Sequence, residues 1–243
     1  MTVRFEWQGT TAIVTIDRPE RRNAVDHATL VALRAAQRDA HAANARALVL
    51  TGTAPAFCAG ADLSGVEDGE FVRALGEVLT GFGALPFACI AAVDGPALGA
   101  GTQLAMACDL RVSTPTSKFG IPAAKLGLAI DHWTADRLAR EVGPSIARDM
   151  LLTASMYTGE QLAPTGFVHR LGDLGVALDW ADQIARLAPL TIAAHKLALE
   201  ASSPAPGFDP AVQAARDRAW TSADAEEGRV AFLEKRPPVF RGE

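Results

Sequence analysis

Two short segments concentrate the chemistry of this chain. One is Ala56-Phe57-Cys58-Ala59-Gly60-Ala61-Asp62-Leu63-Ser64, and the other is Gly95-Pro96-Ala97-Leu98-Gly99-Ala100-Gly101-Thr102-Gln103-Leu104-Ala105-Met106. Each follows an apolar, strand-like run, Ala47-Leu48-Val49-Leu50 and Ile90-Ala91-Ala92-Val93 respectively, and each opens into a helical pattern. Small residues at such a turn let a ligand approach the backbone closely. N–H groups in a first helical turn have no intrahelical acceptor and favour negative charge. Two such turns brought together make an oxyanion hole for a carbonyl that gains charge during reaction. The plainer alternative is a pair of ordinary Gly-rich strand-to-helix turns.

Short apolar strands alternating with helices must position these turns. Val3–Gln8 and Thr11–Ile16 read as a strand pair around Gly9-Thr10. The spacing predicts a helix over 26–43, a buried strand over 47–51, a polar Gly-rich stretch over 64–69 and a helix over 70–85 that Pro86 ends. A strand over 90–93, a helix over 99–107 and a strand over 110–112 follow. This alternation argues for an α/β class with right-handed βαβ connections. From Asp131 onward the chain reads as mostly helical, over 131–142, 179–187, 191–201, 210–220 and 224–234. A capping box is expected at Thr158-Gly159-Glu160-Gln161, a helix end at Gly166, a short strand over 168–171, and a loop at Pro204, Pro206 and Gly207.

Composition narrows the classes. With 243 residues, 49% hydrophobic and 21% charged, the chain has the makings of a globular core in one domain plus a terminal appendage. A net charge of −5 leaves no electrostatic footprint for nucleic acid. Cys58, Cys89 and Cys108 sit in apolar surroundings and are expected to be reduced and buried, with no metal-ligand spacing. No HxxxH or HxH pattern suggests a metal site. The N-terminus has neither signal nor transit character, and no stretch approaches a membrane span, so a soluble, cytoplasmic protein is expected.

Four motifs in order give the chain a resemblance. Beside the two turns stand Asp17-Arg18-Pro19-Glu20-Arg21-Arg22-Asn23-Ala24-Val25-Asp26 near the start and Phe232-Leu233-Glu234-Lys235-Arg236 near the end. Together they resemble the crotonase (enoyl-CoA hydratase/isomerase) superfamily, essentially end to end. The resemblance implies a spiral of ββα repeats over residues 1–185 and a helical segment over 186–243 that oligomerises, as a homotrimer or a dimer of trimers, and contacts CoA. It implies backbone N–H groups of Ala61 and Ala100 as oxyanion donors. It places Arg21 and Arg22 beside the CoA phosphates, and Ala59, Ala61, Asp62 and Leu63 along the adenine and pantetheine path. Phe232 and Lys235 would lie near the CoA of a neighbouring subunit. A solvated surface is the alternative reading of the charges, and a helix N-terminal cap the plainer one for Asp62.

The same resemblance exposes what is missing. Hydratases of the family carry glutamates where this chain has Gln103 and Ala123. Hydration needs one group to take a proton from water and another to deliver a proton to the α-carbon. A carboxamide has no accessible pKa and a methyl group has no proton to move. The nearest substitute is Asp131 in Gly127-Leu128-Ala129-Ile130-Asp131-His132-Trp133, which suits either a base or nucleophile beside the acyl pocket or the N-cap of the next helix. Beside it, His132 suits a pocket rim and Trp133 an acyl wall or the core.

Four functions are therefore weighed. The first is an acyl-CoA-binding protein of fatty-acid metabolism with little or no hydratase activity. The second is an enzyme of different chemistry, hydrolysis or isomerisation, through Asp131. The third is a true hydratase in which Gln103 positions water. The fourth is an assembly partner of fatty-acid enzymes. In each of the first three the ligand is an acyl-CoA thioester, and no resident cofactor or metal is expected.

Overall fold

The computed structural model describes residues 2–63, 69–202 and 210–241. The chain divides into two compact units, residues 1–119 with 157–203, and residues 120–156 with 204–243.

The first unit is built on a six-stranded sheet. β1 (Val3–Gln8) and β2 (Thr11–Ile16) form the expected antiparallel pair around Gly9. α1 (His27–Ala42) then crosses to β3 (Ala47–Gly52), and α2 (Gly69–Gly83) leads to β4 (Ala88–Val93). After β5 (Ala97–Leu98) come α3 (Ala100–Ala107) and β6 (Leu110–Ser113). The sheet order is β1, β2, β3, β4, β6 and β9 (Arg170–Leu171), parallel from β2 onward. A parallel sheet buried on both faces needs continuous apolar strands rather than alternating ones. Ala88-Cys89-Ile90-Ala91-Ala92-Val93 supplies that, buried at every position. One face, with Ala47, Val49, Ala88, Ile90 and Val112, packs against Ala177, Ala181 and Ile184 of α7 (Leu174–Ala185).

A second sheet joins β5 to β7 (Lys118–Gly120) and β8 (Tyr157–Thr158), with Phe119 opposite Tyr157. The sequence gives no sign of these strands, because two or three residues are too short to show a period. The capping box at Thr158 is formed as expected and opens α6 (Gly159–Leu162). Gly166 closes a following 3-10 turn in the left-handed conformation.

Two expectations shift. The strand expected over 168–171 is reduced to Arg170–Leu171, since His169 instead bonds Arg111 in both directions, N–H to carbonyl and ring Nδ1 to N–H. Helix α7 begins at Leu174 rather than 179, because the Asp173 carboxylate accepts the Val176 N–H at 3.3 Å and caps it early. The stretch over 64–69 lies outside the described residues apart from Gly69, as does the Pro204-Pro206-Gly207 loop.

α8 (Pro189–Ser202) is fastened by a buried lysine. Lys196 Nζ donates to the carbonyls of Phe82 (2.8 Å) and Phe87 (2.9 Å) and to the Asp109 carboxylate (2.7 Å). The same carboxylate accepts the Cys89 N–H. Burial pulls the ammonium pKa down, but Cys89 and Asp109 outweigh it and hold it above its ordinary value. Its stabilisation is therefore complete below the unfolded lysine pKa and disappears as pH rises through the folded one. Lys196→Met takes the ammonium from two carbonyls and leaves the buried side of the Asp109 carboxylate with the Cys89 N–H but no counter-charge, so a loss of about 3 kcal/mol in chemical denaturation is expected. An unchanged midpoint would refute the fastening.

In the second unit, α4 (His132–Val142) packs on α5 (Pro144–Leu152), which Pro144 starts. α9 (Pro210–Trp220) and α10 (Ala223–Glu234) complete it. Among the described residues no helix is long and apolar enough to cross a membrane.

Candidate functional site

The two turns that stand out in the sequence are knitted together by backbone. Cys58 N–H donates to the Pro96 carbonyl at 3.0 Å, and Leu98 N–H donates to the Cys58 carbonyl at 2.9 Å, a one-residue parallel bridge between Cys58 and Ala97. A second bridge ties the first turn to the N-terminal loop: Val25 N–H donates to Gly60, and Asp62 N–H to Val25. In a parallel bridge the residue flanked by those two bonds turns its own N–H the other way. That residue is Ala61. Ala100 is the first residue of α3, where helix geometry leaves the N–H without an acceptor. Neither N–H takes a partner among the described residues.

Glycine makes the close approach possible at two places. Gly99 holds φ +53 and ψ −117, a region essentially closed to other residues, and turns the chain into α3. A Cβ on Gly101 would lie 2.1 Å from the Cys58 carbonyl oxygen, so only hydrogen fits between the turns. Thr102 fixes the helix start by donating to the Ala97 carbonyl at 2.6 Å.

The loop over residues 17–26 wraps this cradle. Buried Asn23 sits at φ +59 and donates to the carbonyls of Thr53 and Ala56, both at 2.6 Å, while accepting the Arg18 N–H at 2.8 Å. Arg18 donates through its guanidinium to the Ala24 carbonyl and pairs with Asp26 and Asp62, each at 3.1 Å. Asp26 caps α1 by accepting from Thr29. Burial would raise its carboxyl pKa, but the Thr29 hydrogen bonds and Arg18 hold it below the usual value. Sequence reasoning assigned Arg18 and Asn23 no role. The left-handed preference of asparagine was the one available signal for Asn23.

The remaining first-unit candidates fall around these turns. Gln103 lies one turn into α3, buried, with its N–H bonded to Gly99. Ala59 N–H bonds the Arg22 carbonyl, and Ala59, Asp62 and Leu63 are half-buried. Arg21 and Arg22 are exposed, with no ion pair among the described residues. Any helical turn that Asp62 would cap falls in residues outside those described. Cys58, Cys89 and Cys108 are free and buried, as expected. Burial pushes the thiols of Cys58 and Cys89 up to about 12 and that of Cys108 up as well, so none is a thiolate nucleophile at neutral pH.

In the second unit, Ala123 lies in a 3-10 turn (Pro122–Leu126), half-buried, its carbonyl accepting from Gly127 and Leu128. Asp131 caps α4, accepting the Thr134 N–H at 2.8 Å. His132 and Trp133 are half-buried in the first turn of α4. The segment between Ala123 and Asp131 is braced from behind. Trp220 Nε1–H donates to the Ala129 carbonyl at 2.7 Å, and Gly228 of α10 is pressed against Leu126. α10 also carries Phe232, exposed, and ends at Lys235 in the left-handed conformation. A fork from Arg236 to Glu227 and the Val239 N–H on the same carboxylate fold the tail back.

Comparison with known proteins gives the family and the fold. Residues 6–243 match the family model described as enoyl-CoA hydratase/isomerase. A probable enoyl-CoA hydratase (echA6) of Mycobacterium tuberculosis is 46% identical over 234 residues, covering 95% of this chain and 96% of that protein. The 2,3-dehydroadipyl-CoA hydratase of Escherichia coli is 35% identical, covering 95% and 94%. Among solved structures, carnitinyl-CoA hydratase from Mycobacterium avium superposes with a TM-score of 0.85 at 31% identity, over 100% of this chain and 99% of that one. A methylmalonyl-CoA decarboxylase has the same fold, with a TM-score of 0.92 at 24% identity over 100% and 99%.

Proposed function

Since the chain belongs to the enoyl-CoA hydratase/isomerase family, we propose that it binds acyl-CoA thioesters in fatty-acid metabolism and holds the thioester carbonyl against the N–H groups of Ala61 and Ala100, with little or no hydratase activity. The observation that carries this is the double bridge. It fixes both turns and leaves the Ala61 N–H unspent, while the start of α3 leaves that of Ala100 unspent. A preorganised pair of donors costs no reorganisation when a carbonyl polarises. On the helix that bears one donor, buried Gln103 is a carboxamide. Ala123 is a methyl group. Neither moves a proton, so the cradle polarises a thioester without the two proton transfers of hydration.

Arg21 and Arg22, exposed and without ion pairs among the described residues, suit the CoA phosphates. Ala59, Asp62 and Leu63 suit the pantetheine path, and Phe232 and Lys235 the CoA of a second protomer. This last assignment goes with a homotrimer, or a dimer of trimers, built through residues 186–243. A partner among fatty-acid enzymes fits the same reading.

The second reading keeps catalysis and gives it to Asp131. The observation in its favour is that Asp131 is a carboxylate fixed in place at the head of α4. Hydrolysis or isomerisation of an acyl-CoA would be its reaction.

Steady-state turnover of short- and long-chain trans-2-enoyl-CoA, followed by loss of the conjugated thioester absorbance, together with calorimetry of acyl-CoA binding, tests both. Binding without turnover is the expected result. Turnover at on the order of ten per second would overturn it, and its loss in Asp131→Ala would establish the second reading.

A further inference from the structure

We propose that Arg18, acting through Asp62, is a positioning residue that fixes where the Ala61 N–H points. This rests on the oxyanion reading above and adds to it the part that holds one donor in register.

The geometry is specific. The Val25–Ala61 bridge is a single residue long, with only two hydrogen bonds, Val25 to Gly60 at 2.9 Å and Asp62 to Val25 at 2.8 Å. A single backbone bond flanks it, Ala59 N–H to the Arg22 carbonyl at 3.0 Å, and that bond lies on the side away from Asp62. The guanidinium of Arg18 spans the bridge. One nitrogen donates to the Ala24 carbonyl, next to Val25, and the other meets the Asp62 carboxylate at 3.1 Å, next to Ala61. Both ends of the bridge are thus held by one planar group, with Arg18 and Asp62 side chains only 13% and 12% exposed. A pair so shielded is screened little by salt. Arg18 is itself held from behind, since its N–H donates to Asn23 Oδ1, and Asn23 anchors the start of the same turn at Thr53 and Ala56. The opposite edge of the turn is fixed by the bridge from Cys58 to Ala97. Between these anchors the one orientation left to Ala61 is the one set by Asp62. Asp26 shares the guanidinium, at 3.1 Å, so removing the arginine leaves two carboxylates facing one another and drives Asp62 outward.

A donor's contribution falls steeply with angle. Loss of Arg18 therefore acts on the carbonyl contact and not on the CoA moiety. Two ligands of equal chain length separate these: a saturated acyl-CoA thioester, and the S-alkyl-CoA thioether that lacks the carbonyl. Calorimetry of the whole protein gives the ratio of their affinities. The infrared band of a 13C-labelled thioester carbonyl reads polarisation directly. In the wild type the thioester is expected to bind more tightly and its carbonyl band to move to lower frequency. In Arg18→Gln that preference is expected to fall by about tenfold and the band to return toward its position in water, with thioether affinity held within about twofold. Asp62→Asn, which keeps the volume and loses the charge, is expected to lower the thioester preference and return the band in the same way, and serves if Arg18→Gln does not fold; because Asp62 also borders the assigned pantetheine path, only the affinity ratio and the carbonyl band are read for it. Lys196→Met, destabilised elsewhere, is expected to leave both readouts unchanged.

Equal loss for both ligands, or an unshifted carbonyl band in the variants relative to wild type, overturns the positioning role. No thioester preference in the wild type overturns the oxyanion reading itself, and this inference with it.

Discussion

Installing glutamate at both position 103 and position 123 is expected to raise hydration of trans-2-enoyl-CoA by on the order of 100-fold or more over the wild type, since a positioned general acid or base contributes that much each. The donors are already in place on this reading, and only the proton-moving groups are absent. Gln103→Glu or Ala123→Glu alone should give much less, because hydration needs both transfers. The gain has a stability cost. Position 103 is buried, so a carboxylate there is desolvated and its pKa rises. Gln103→Glu should accordingly melt lower than wild type at neutral pH and recover as the pH falls. Thermal unfolding between pH 5 and 8, paired with absorbance kinetics, checks both halves. If the double variant binds acyl-CoA as well as the wild type but hydrates nothing, then the acyl carbons are not presented to these positions. The reading of Gln103 and Ala123 as vacated catalytic stations would then fall.

That expectation draws on what one chain discloses and what it hides. The cradle was legible because small residues between an apolar strand and a helix have a local physical meaning. The caps at Asp26, Asp131 and Thr158 were legible for the same reason, each being a side chain that reaches three residues ahead. What stayed hidden is non-local. The Cys58–Ala97 and Val25–Ala61 bridges are single-residue pairings across 39 and 36 positions, and no periodicity announces them. Arg18 reads as one more surface cation in a charged loop, and Lys196 as the polar face of an amphipathic helix. Lys196 is buried because acceptors arrive from Phe82 at the end of α2, from Phe87 and from Asp109, and Arg18 because Asp62 arrives from the first turn. Asp131 was the reverse case: its two readings were both visible, and the structure supplies the cap without removing the carboxylate from use.

Gly101→Ala separates local from non-local reasoning most sharply. By helix propensity alone, alanine in place of glycine within α3 should stabilise the protein by about 1 kcal/mol. Gly76→Ala in α2, where an added Cβ meets nothing within 4 Å, is expected to show that gain. At Gly101 the sign should reverse. The new methyl would sit 2.1 Å from the Cys58 carbonyl oxygen and 3.0 Å from its carbon. These are backbone atoms, and the oxygen is already the acceptor for Leu98. No rotamer relieves the contact. Either the bridge breaks or α3 moves away from the first turn, and both separate the Ala61 and Ala100 N–H groups. A destabilisation of about 3 kcal/mol is expected in chemical denaturation, together with loss of the preference for acyl-CoA over the matching thioether. The surviving fold should still bind the thioether, because the CoA contacts assigned to Arg21 and Arg22 lie outside the bridge. A variant that melts at or above the wild-type temperature and keeps its thioester preference would show that the two turns tolerate separation. The backbone bridge would then not be what aims the donors.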